Sequence, residues 1–516
     1  MQRPSGSSPM AVDRPDDVRR VRDVLDRAGF DDRHVCERLG VRKAADLSFG
    51  PLDRPRLLRR TRDGDPLATL IRLFVAGVPV PLVAFRRAVE PMGPAVWAEL
   101  GLVDLEGDSA RRSVMLLPSE RFLIAHDATP PGGGIRRDHV MGAAPSTRAL
   151  SSMIVRPRAR WTLDLGTGCG YLALRAAAHS QHVLATDLNP RAVAMARFNA
   201  MLNRIDNVAV EEGSLFEPAG DLRFDLIVSS PPFVVSPQDD LTYRDSGLQG
   251  DAFCERLFRG VPGYLAEGGF AQVICNWVRI AGVDWLERLA GWFDASECDV
   301  WIIHARSTNP ADYAQQWLPE GAPSASGRFA DDFARWMAYY DRHRIEAIDG
   351  GLITLRRRTG GRNWLRVDMD CDVEGPDGAG ILAGFAGQDL LDGAGDGPAL
   401  LELKLRCRPE VRVSQRLQPT DSGWMVDRGG CILGAGPRFE GEFNPMVFNL
   451  LTLCRGRLPL SAVLAQVASR LGRDVEEIRE EGLGAVRSLA LQGFLWPADA
   501  PLWPAGIDRP GSAGER

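Results

Sequence analysis

LDLGTGCGYLALRAA, running from Leu163 to Ala177, joins three signals in one short stretch. The apolar run RWTLDL reads as a strand that carries Asp164 near its end. Gly166, Gly168 and Gly170 then fall at every second position, and an amphipathic helix begins at Tyr171. Glycine admits turn conformations that a side chain forbids, and it lets a ligand approach the main chain. A helix opening just beyond such a turn aims its free N–H groups at the ligand. A dinucleotide fingerprint would need G-x-G-x-x-G, but position 171 is Tyr. Asp164 would also repel a pyrophosphate, whereas it suits an ammonium group. S-adenosylmethionine carries one. Asp164, Gly166, Thr167, Gly168 and Gly170 are therefore read as its cradle.

The next strand, HVLATD, ends at Asp187, 23 positions after Asp164. A carboxylate there can accept from both hydroxyls of a ribose, each charge-assisted contact worth roughly 1.5–3 kcal/mol. Leu188 follows, and Asn189-Pro190 opens another helix. Farther on, FDLIVS runs directly into Ser230-Pro231-Pro232-Phe233. Ligands of open α/β sheets bind at this carboxyl end of the strands. The tetrapeptide fits the pattern Asn/Asp/Ser-Pro-Pro-Tyr/Phe/Trp of enzymes that methylate planar nitrogens. An amide or exocyclic ring nitrogen has a delocalised lone pair and is a poor nucleophile. Ser230 Oγ and the Pro231 carbonyl can accept its two N–H bonds, hold it in line with a sulfonium methyl and favour pyramidalisation. Phe233 offers a stacking face. This chemistry needs no metal.

With these residues placed, the middle of the chain resembles the class I S-adenosylmethionine-dependent methyltransferases of the "methyltransferase small" type. It is most similar to the HemK-type protein-glutamine N5-methyltransferases, which modify the Gly-Gly-Gln loop of translation release factors. The likeness rests on DLGTGCGYLAL, ATDLNPRAVAMARFNA, GSLFEP, FDLIVSSPPF and SGLQGDAFCERLF, and covers roughly residues 140–280. It implies a Rossmann-like, doubly wound α/β sheet, adenine contacts from Ser214 and Leu215, and a catalytic Ser230–Phe233 tetrapeptide. Two departures stand out. The family usually has Asn where Ser230 stands, and an acid where Ser214 stands. The acceptor implied is a protein glutamine, as in a release factor. An exocyclic base amine in RNA or DNA fits the same tetrapeptide. A reading from another class, a cofactor-binding interaction protein, is opposed by the intact Ser-Pro-Pro-Phe.

Periodicity divides the rest of the chain. Residues 1–13 and 501–516 read as disordered ends. Residues 14–120 read as helices closing in a hairpin at Glu106-Gly107-Asp108, a pattern shared by winged-helix modules and plain helical caps. Residues 121–369 form the methyltransferase part, with core motifs at 158–280 and a helical insertion at 306–344. Within it EAIDGGLITLRRR reads as a reversed edge strand. The Gly-rich stretch 370–397 reads as a linker, and 398–500 as a small α+β domain.

Composition sets the outer limits. A net charge of −6 disfavours a protein that coats nucleic acid with its whole surface. Only Lys43 and Lys404 are lysine among 62 basic residues, a bias that matches GC-rich coding. The arginines at 54, 56, 59, 60 and 62 form either a solvated face or a phosphate-binding patch. Nine cysteines without a C-x-x-C pair argue against a disulfide framework and point to a reduced, cytoplasmic compartment. The best membrane candidate, 67–85, is broken by Arg72, Gly77, Pro79 and Pro81, so no membrane span is expected. Oligomeric state is not encoded in any of these signals.

Overall fold

The valine and leucine spacing at Val18, Val21, Val24 and Leu25 builds α1 (Pro15–Arg27), with all four side chains buried. This computed structural model describes residues 10–43, 47, 54–128, 135–318, 326–360, 362–369, 378–395, 398–420, 423–433, 440–442 and 444–499. Helix α2 (Asp32–Leu39) starts at Asp31, whose side chain accepts from the His34 amide, and stops at the left-handed Gly40. Helices α3 (Arg54–Arg60), α4 (Pro66–Leu70), α5 (Leu82–Ala88) and α6 (Pro94–Glu99) follow. A two-residue strand β1 (Val80–Pro81) pairs with the hairpin β2 (Val103–Glu106) and β3 (Ser109–Arg112) in the order β1-β3-β2. Phe30, Phe74, Phe85 and Trp97 meet in edge-on and tilted pairs that form the module's aromatic core. Much of the arginine run is spent internally. Arg54, Arg56 and Arg60 donate to the carbonyls of Ala76, Gly77, Gly40 and Arg38 at 3.3–3.5 Å. The expectation of a disordered end is corrected from residue 10 onward: Met10 is buried and the Ala11 amide donates to Leu100 O. The remainder of that stretch, and 501–516, lie outside the described residues.

A second hairpin, β4 (Met115–Ser119) and β5 (Phe122–His126), straddles the boundary drawn at residue 120. Helix α7 (Pro145–Met153) then leads into the alternating core. Its parallel strands are β6 (Ala159–Leu165), β7 (Ser180–Asp187), β8 (Val208–Glu212), β9 (Phe224–Ser229) and β10 (Leu265–Ile280). Helices α8 (Tyr171–Ala176), α9 (Pro190–Leu202), α10 (Ala252–Gly260) and α11 (Trp285–Ala290) lie along that stretch of chain. Strand β11 (Cys298–Thr308), helices α12 (Pro310–Trp317) and α13 (Ser326–Arg342), β12 (Ile345–Arg357) and β13 (Leu365–Asp368) complete an eight-stranded sheet of order β13-β11-β12-β10-β9-β6-β7-β8. This is a Rossmann-like α/β sheet. Strand β12 is reversed, antiparallel to β10. It is not an edge: β11 lies outside it, and Ile348–Leu355 are buried without interruption, the pattern of an interior strand.

The outer face of α9 is clasped by β5. Asn199 and Asn203, one turn apart, exchange hydrogen bonds of 2.8–2.9 Å with the main chain of Ala125 and Leu123. Two carboxamides thereby act as the edge of a strand. Asn199, fully buried, also donates to the Cys169 carbonyl at 2.8 Å, inside the glycine turn.

Contacts separate the chain into two units, one of residues 1–150, 159–302 and 306–366, the other of residues 151–158, 303–305 and 367–516. In the second, the linker expected over 370–397 is corrected from residue 378 to 394, while 370–377 and 396–397 lie outside the described residues. Residues Gly378–Ala394 form a 17-residue helix, α14. A Cβ on Gly387 would lie 2.4 Å from the Ala490 carbonyl oxygen, and one on Gly378 1.9 Å from that of Ile154. These glycines are small because main chain passes against them. The unit continues with α15 (Pro398–Glu402), β14 (Leu405–Cys407), and the sheet β15 (Val411–Thr420), β16 (Gly423–Leu433) and β17 (Glu440–Glu442). Helices α16 (Pro445–Leu453), α17 (Leu460–Leu471) and α18 (Val475–Leu491) and strand β18 (Leu495–Pro497) close it. Asn444 caps α16 by accepting from the Val447 amide at 2.9 Å. No described helix is long and apolar enough to cross a membrane.

Candidate active site

Strand β6 delivers the glycine turn. Gly166, Gly168 and Gly170 take φ of +71°, +56° and +86°. The Gly166 and Thr167 amides both donate to the Thr186 carbonyl at 2.9 Å, which ties the turn to the end of β7. A Cβ on Gly166 or Gly168 would meet nothing within 4 Å, so open space lies in front of the turn. At Gly170 it would approach Ala196 of α9 to 3.1 Å, so this third glycine serves helix packing.

Asp164 sits behind the turn, 1% exposed. Its Oδ2 accepts from Thr167 Oγ1 at 2.6 Å and from the Ala173 amide at 2.9 Å, while Oδ1 is buried without a hydrogen-bond partner. Burial, reinforced by the nearby Asp187 carboxylate, pushes its pKa up to about 7. The side chain expected at a ligand's ammonium is not among those lining the cavity and instead braces the turn from within. Gly170 is likewise outside the lining.

The other expected residues converge. One cavity of about 280 Å³ is lined by Gly166, Thr167, Gly168, Asp187, Leu188, Ser214, Leu215, Ser230, Pro231, Pro232 and Phe233. Asp187 Oδ1 accepts from the Asn189 amide and Oδ2 from the Gly168 amide, at 2.9 and 2.8 Å, leaving each oxygen a further lone pair. Burial raises its pKa, and the two amides oppose that rise. Leu188 beside it is 63% exposed, an apolar surface on the rim. The Gly213 amide donates to the Asp187 carbonyl at 3.0 Å, which brings Ser214 alongside. Leu215 takes φ +50°, a left-handed conformation that is costly for leucine. Its neighbour Phe216 is locked by stacking on Tyr264 at 4.5 Å.

The tetrapeptide is anchored at both ends. Ser229 Oγ donates to the Leu165 carbonyl at 2.7 Å, joining the end of β9 to the glycine turn. Beyond Phe233, the main chain of Val235 is gripped by the hydroxyls of Tyr313 and Tyr340, contributed by α12 and α13. The helical insertion thus holds the loop after Ser230–Phe233 in place through an aromatic cluster that includes Trp336. The following loop carries a buried pair, Arg244 and Asp245, bonded at 2.8 and 2.9 Å.

Sequence reasoning missed several lining residues. His139 and Tyr243 lie 5.7 Å apart by ring centroids; burial lowers the pKa of the first and raises that of the second. Trp317 also lines the cavity. Thr147, at the start of α7, donates from Oγ1 to Ser230 Oγ at 3.2 Å. The segment before α7 is held by Asp127, which accepts from the Val140 amide at 2.9 Å and grips Arg191 at 2.8 and 2.5 Å. Ser146 reaches the lining; Pro145 does not.

The family model of the methyltransferase small domain matches residues 143–278. Two domains of unknown function flank it, DUF7059 over 27–113 and DUF7782 over 383–497. The chain is 36% identical over 130 residues to the release factor glutamine methyltransferase of Geobacter sulfurreducens, covering 23% of this chain and 45% of that protein. To its counterpart in Bordetella pertussis it is 32% identical over 225 residues, covering 39% of this chain and 77% of that protein. The chain belongs to the release factor glutamine methyltransferase family. Against several members the match is shorter, and the chain spans about half the length of the Geobacter sulfurreducens and Yersinia pestis proteins. The crystal structure of YcgJ from Bacillus subtilis aligns with a TM-score of 0.29 at 16% identity, over 42% of this chain and 98% of that one. Elements α14 to β18 lie beyond the matched methyltransferase domain.

Proposed function

We propose that this protein is an S-adenosylmethionine-dependent N-methyltransferase whose acceptor is a planar amide nitrogen, a protein glutamine of the kind presented by release factors. The observation that carries the reading is that the glycine turn, Asp187 and Ser230–Phe233 line one cavity. The residues present fit the cofactor. Open space faces Gly166 and Gly168, Asp187 keeps lone pairs for a ribose, and Leu188 offers an apolar rim to a purine. When bound, S-adenosylmethionine supplies an electrophilic sulfonium methyl group.

The chain's own residues do the rest. Asp187 accepts from the ribose hydroxyls, and Ser214 and Leu215 border the adenine side. Ser230 Oγ and the Pro231 carbonyl hold the acceptor nitrogen, and Phe233 stacks on its plane. Holding both N–H bonds localises the lone pair that resonance would otherwise withhold. Trp317 and Phe233 supply aromatic surface to the same cavity. Methyl transfer from labelled cofactor to a release factor, beside a Gln→Ala variant of its Gly-Gly-Gln loop, tests this reading. Label in the native factor alone supports it. Label that resists protease and yields to nuclease would assign a base amine instead.

A further inference from the structure

A lone serine hydroxyl is a poor reader of an amide. It has one proton and no fixed direction, and it rotates to suit whatever is near. In this cavity the Ser230 hydroxyl is not alone. Thr147 Oγ1 donates to Ser230 Oγ at 3.2 Å, across 83 residues of sequence, and both side chains line the cavity.

That bond has directional consequences. With one lone pair of Ser230 Oγ taken by Thr147, the serine proton and its second lone pair are left to face elsewhere. Thr147 has spent its proton and retains lone pairs. Held in this way, Ser230 Oγ presents one donor and one acceptor in fixed directions, complementary to a primary amide, which offers a carbonyl oxygen and N–H donors side by side. We propose that Thr147 is a positioning residue for the methyl acceptor: Thr147 and Ser230 form a two-hydroxyl reader in which Thr147 fixes the serine hydroxyl, and Ser230 O–H donates to the amide carbonyl while its own second lone pair and the Pro231 carbonyl accept N–H. The inference rests on the proposed glutamine methylation and adds that the acceptor is read through both of its polar atoms.

Thr147 is half-buried near the start of α7, and its hydroxyl proton goes to Ser230. Removing the hydroxyl with Thr147→Val preserves its branching at Cβ. The experiment measures kcat and KM for methyl transfer to the release factor, with cofactor affinity by calorimetry and a thermal melt for each protein. Thr147→Val should lower kcat/KM roughly 2- to 12-fold, mostly in kcat, with cofactor affinity within twofold of wild type. Thr147→Ser should recover most of that loss. Adding Thr147→Val to Ser230→Ala should cost almost nothing further, because the threonine acts through the serine. Additive losses, a Thr147→Ser variant as impaired as Thr147→Val, or a change confined to cofactor affinity would overturn the two-hydroxyl reader while leaving the function standing. A wild-type protein that binds cofactor yet never labels glutamine would overturn both.

Discussion

Asp164→Asn isolates an electrostatic cost built into the glycine turn. Both hydrogen bonds to Asp164 go to Oδ2, from Thr167 and Ala173, and Oδ1 is buried without a hydrogen-bond partner. An asparagine can keep both by placing its carbonyl oxygen where Oδ2 stands. Its NH2 then fills the place of Oδ1, a fixed penalty of about 1–3 kcal/mol for an unpartnered polar group, independent of pH. The carboxylate carries a cost that does depend on pH. Its pKa rises from 3.8 to about 7 on folding, chiefly through burial. A raised folded-state value means the native form binds the proton more tightly. The resulting stabilisation is complete below the unfolded value near 4 and is lost as pH climbs through about 7. Between pH 5 and pH 8 this one group should remove about 2–3 kcal/mol of stability. The assay is chemical unfolding of both proteins across that range, reading the difference between them. Asp164→Asn should gain on wild type steadily as pH rises. Parallel profiles would show that Asp164 is ionised in the native state across the whole range, and that burial behind the turn does not hold a proton on it.

Asp187→Ala should weaken S-adenosylmethionine roughly 5- to 150-fold, measured calorimetrically, through loss of the ribose contacts. Because Asp187 also accepts from the Gly168 and Asn189 amides, the unliganded variant should melt at lower temperature as well. An unaltered melt would mean that the turn holds without it. Ser230→Ala should lower kcat about 10- to 100-fold with cofactor affinity unchanged, so full turnover would remove the side chain from acceptor binding. In α14, Gly387→Ala should destabilise by about 1–3 kcal/mol because its Cβ meets the Ala490 carbonyl, although alanine is the better helix former. Gly393→Ala, with nothing within 4 Å, should stabilise by up to ~1 kcal/mol; denaturant midpoints that rank the pair the other way would return this segment to linker status.

What could be read without coordinates was whatever the chain writes locally. Strands such as FDLIVS and HVLATD declare themselves by short β-branched runs, and the glycine turn by its spacing between strand and helix. Eleven of the thirteen proposed site residues line one cavity because each lies at or just beyond the carboxyl end of a parallel strand. The failures share a cause. Gly378 and Gly387 look like flexible-loop residues until the main chain passing against them is known, since composition cannot separate glycine chosen for entropy from glycine chosen for size. Thr147 meets Ser230 only through the fold, and no spacing links them. That Asp164 is buried and bonded to Thr167 and Ala173 is likewise decided by packing. The interior place of β12 was legible in principle, because GGLITL is an unbroken run rather than an alternating one.

The clasp between β5 and α9 bears on how the molecule can be dissected. The recognisable domain begins at residue 143, and an excision there looks natural. Such a cut would discard Leu123 and Ala125 and strip the side chains of Asn199 and Asn203 of those two main-chain partners. Asn199 is completely buried, so its orphaned carboxamide would cost about 1–3 kcal/mol or turn to find water. Turning would release the Cys169 carbonyl and, with it, the glycine turn. The catalytic core is therefore not a removable cartridge. Its smallest excisable version begins before Leu123, and a fragment starting after Ala125 should arrive with its glycine turn already loosened.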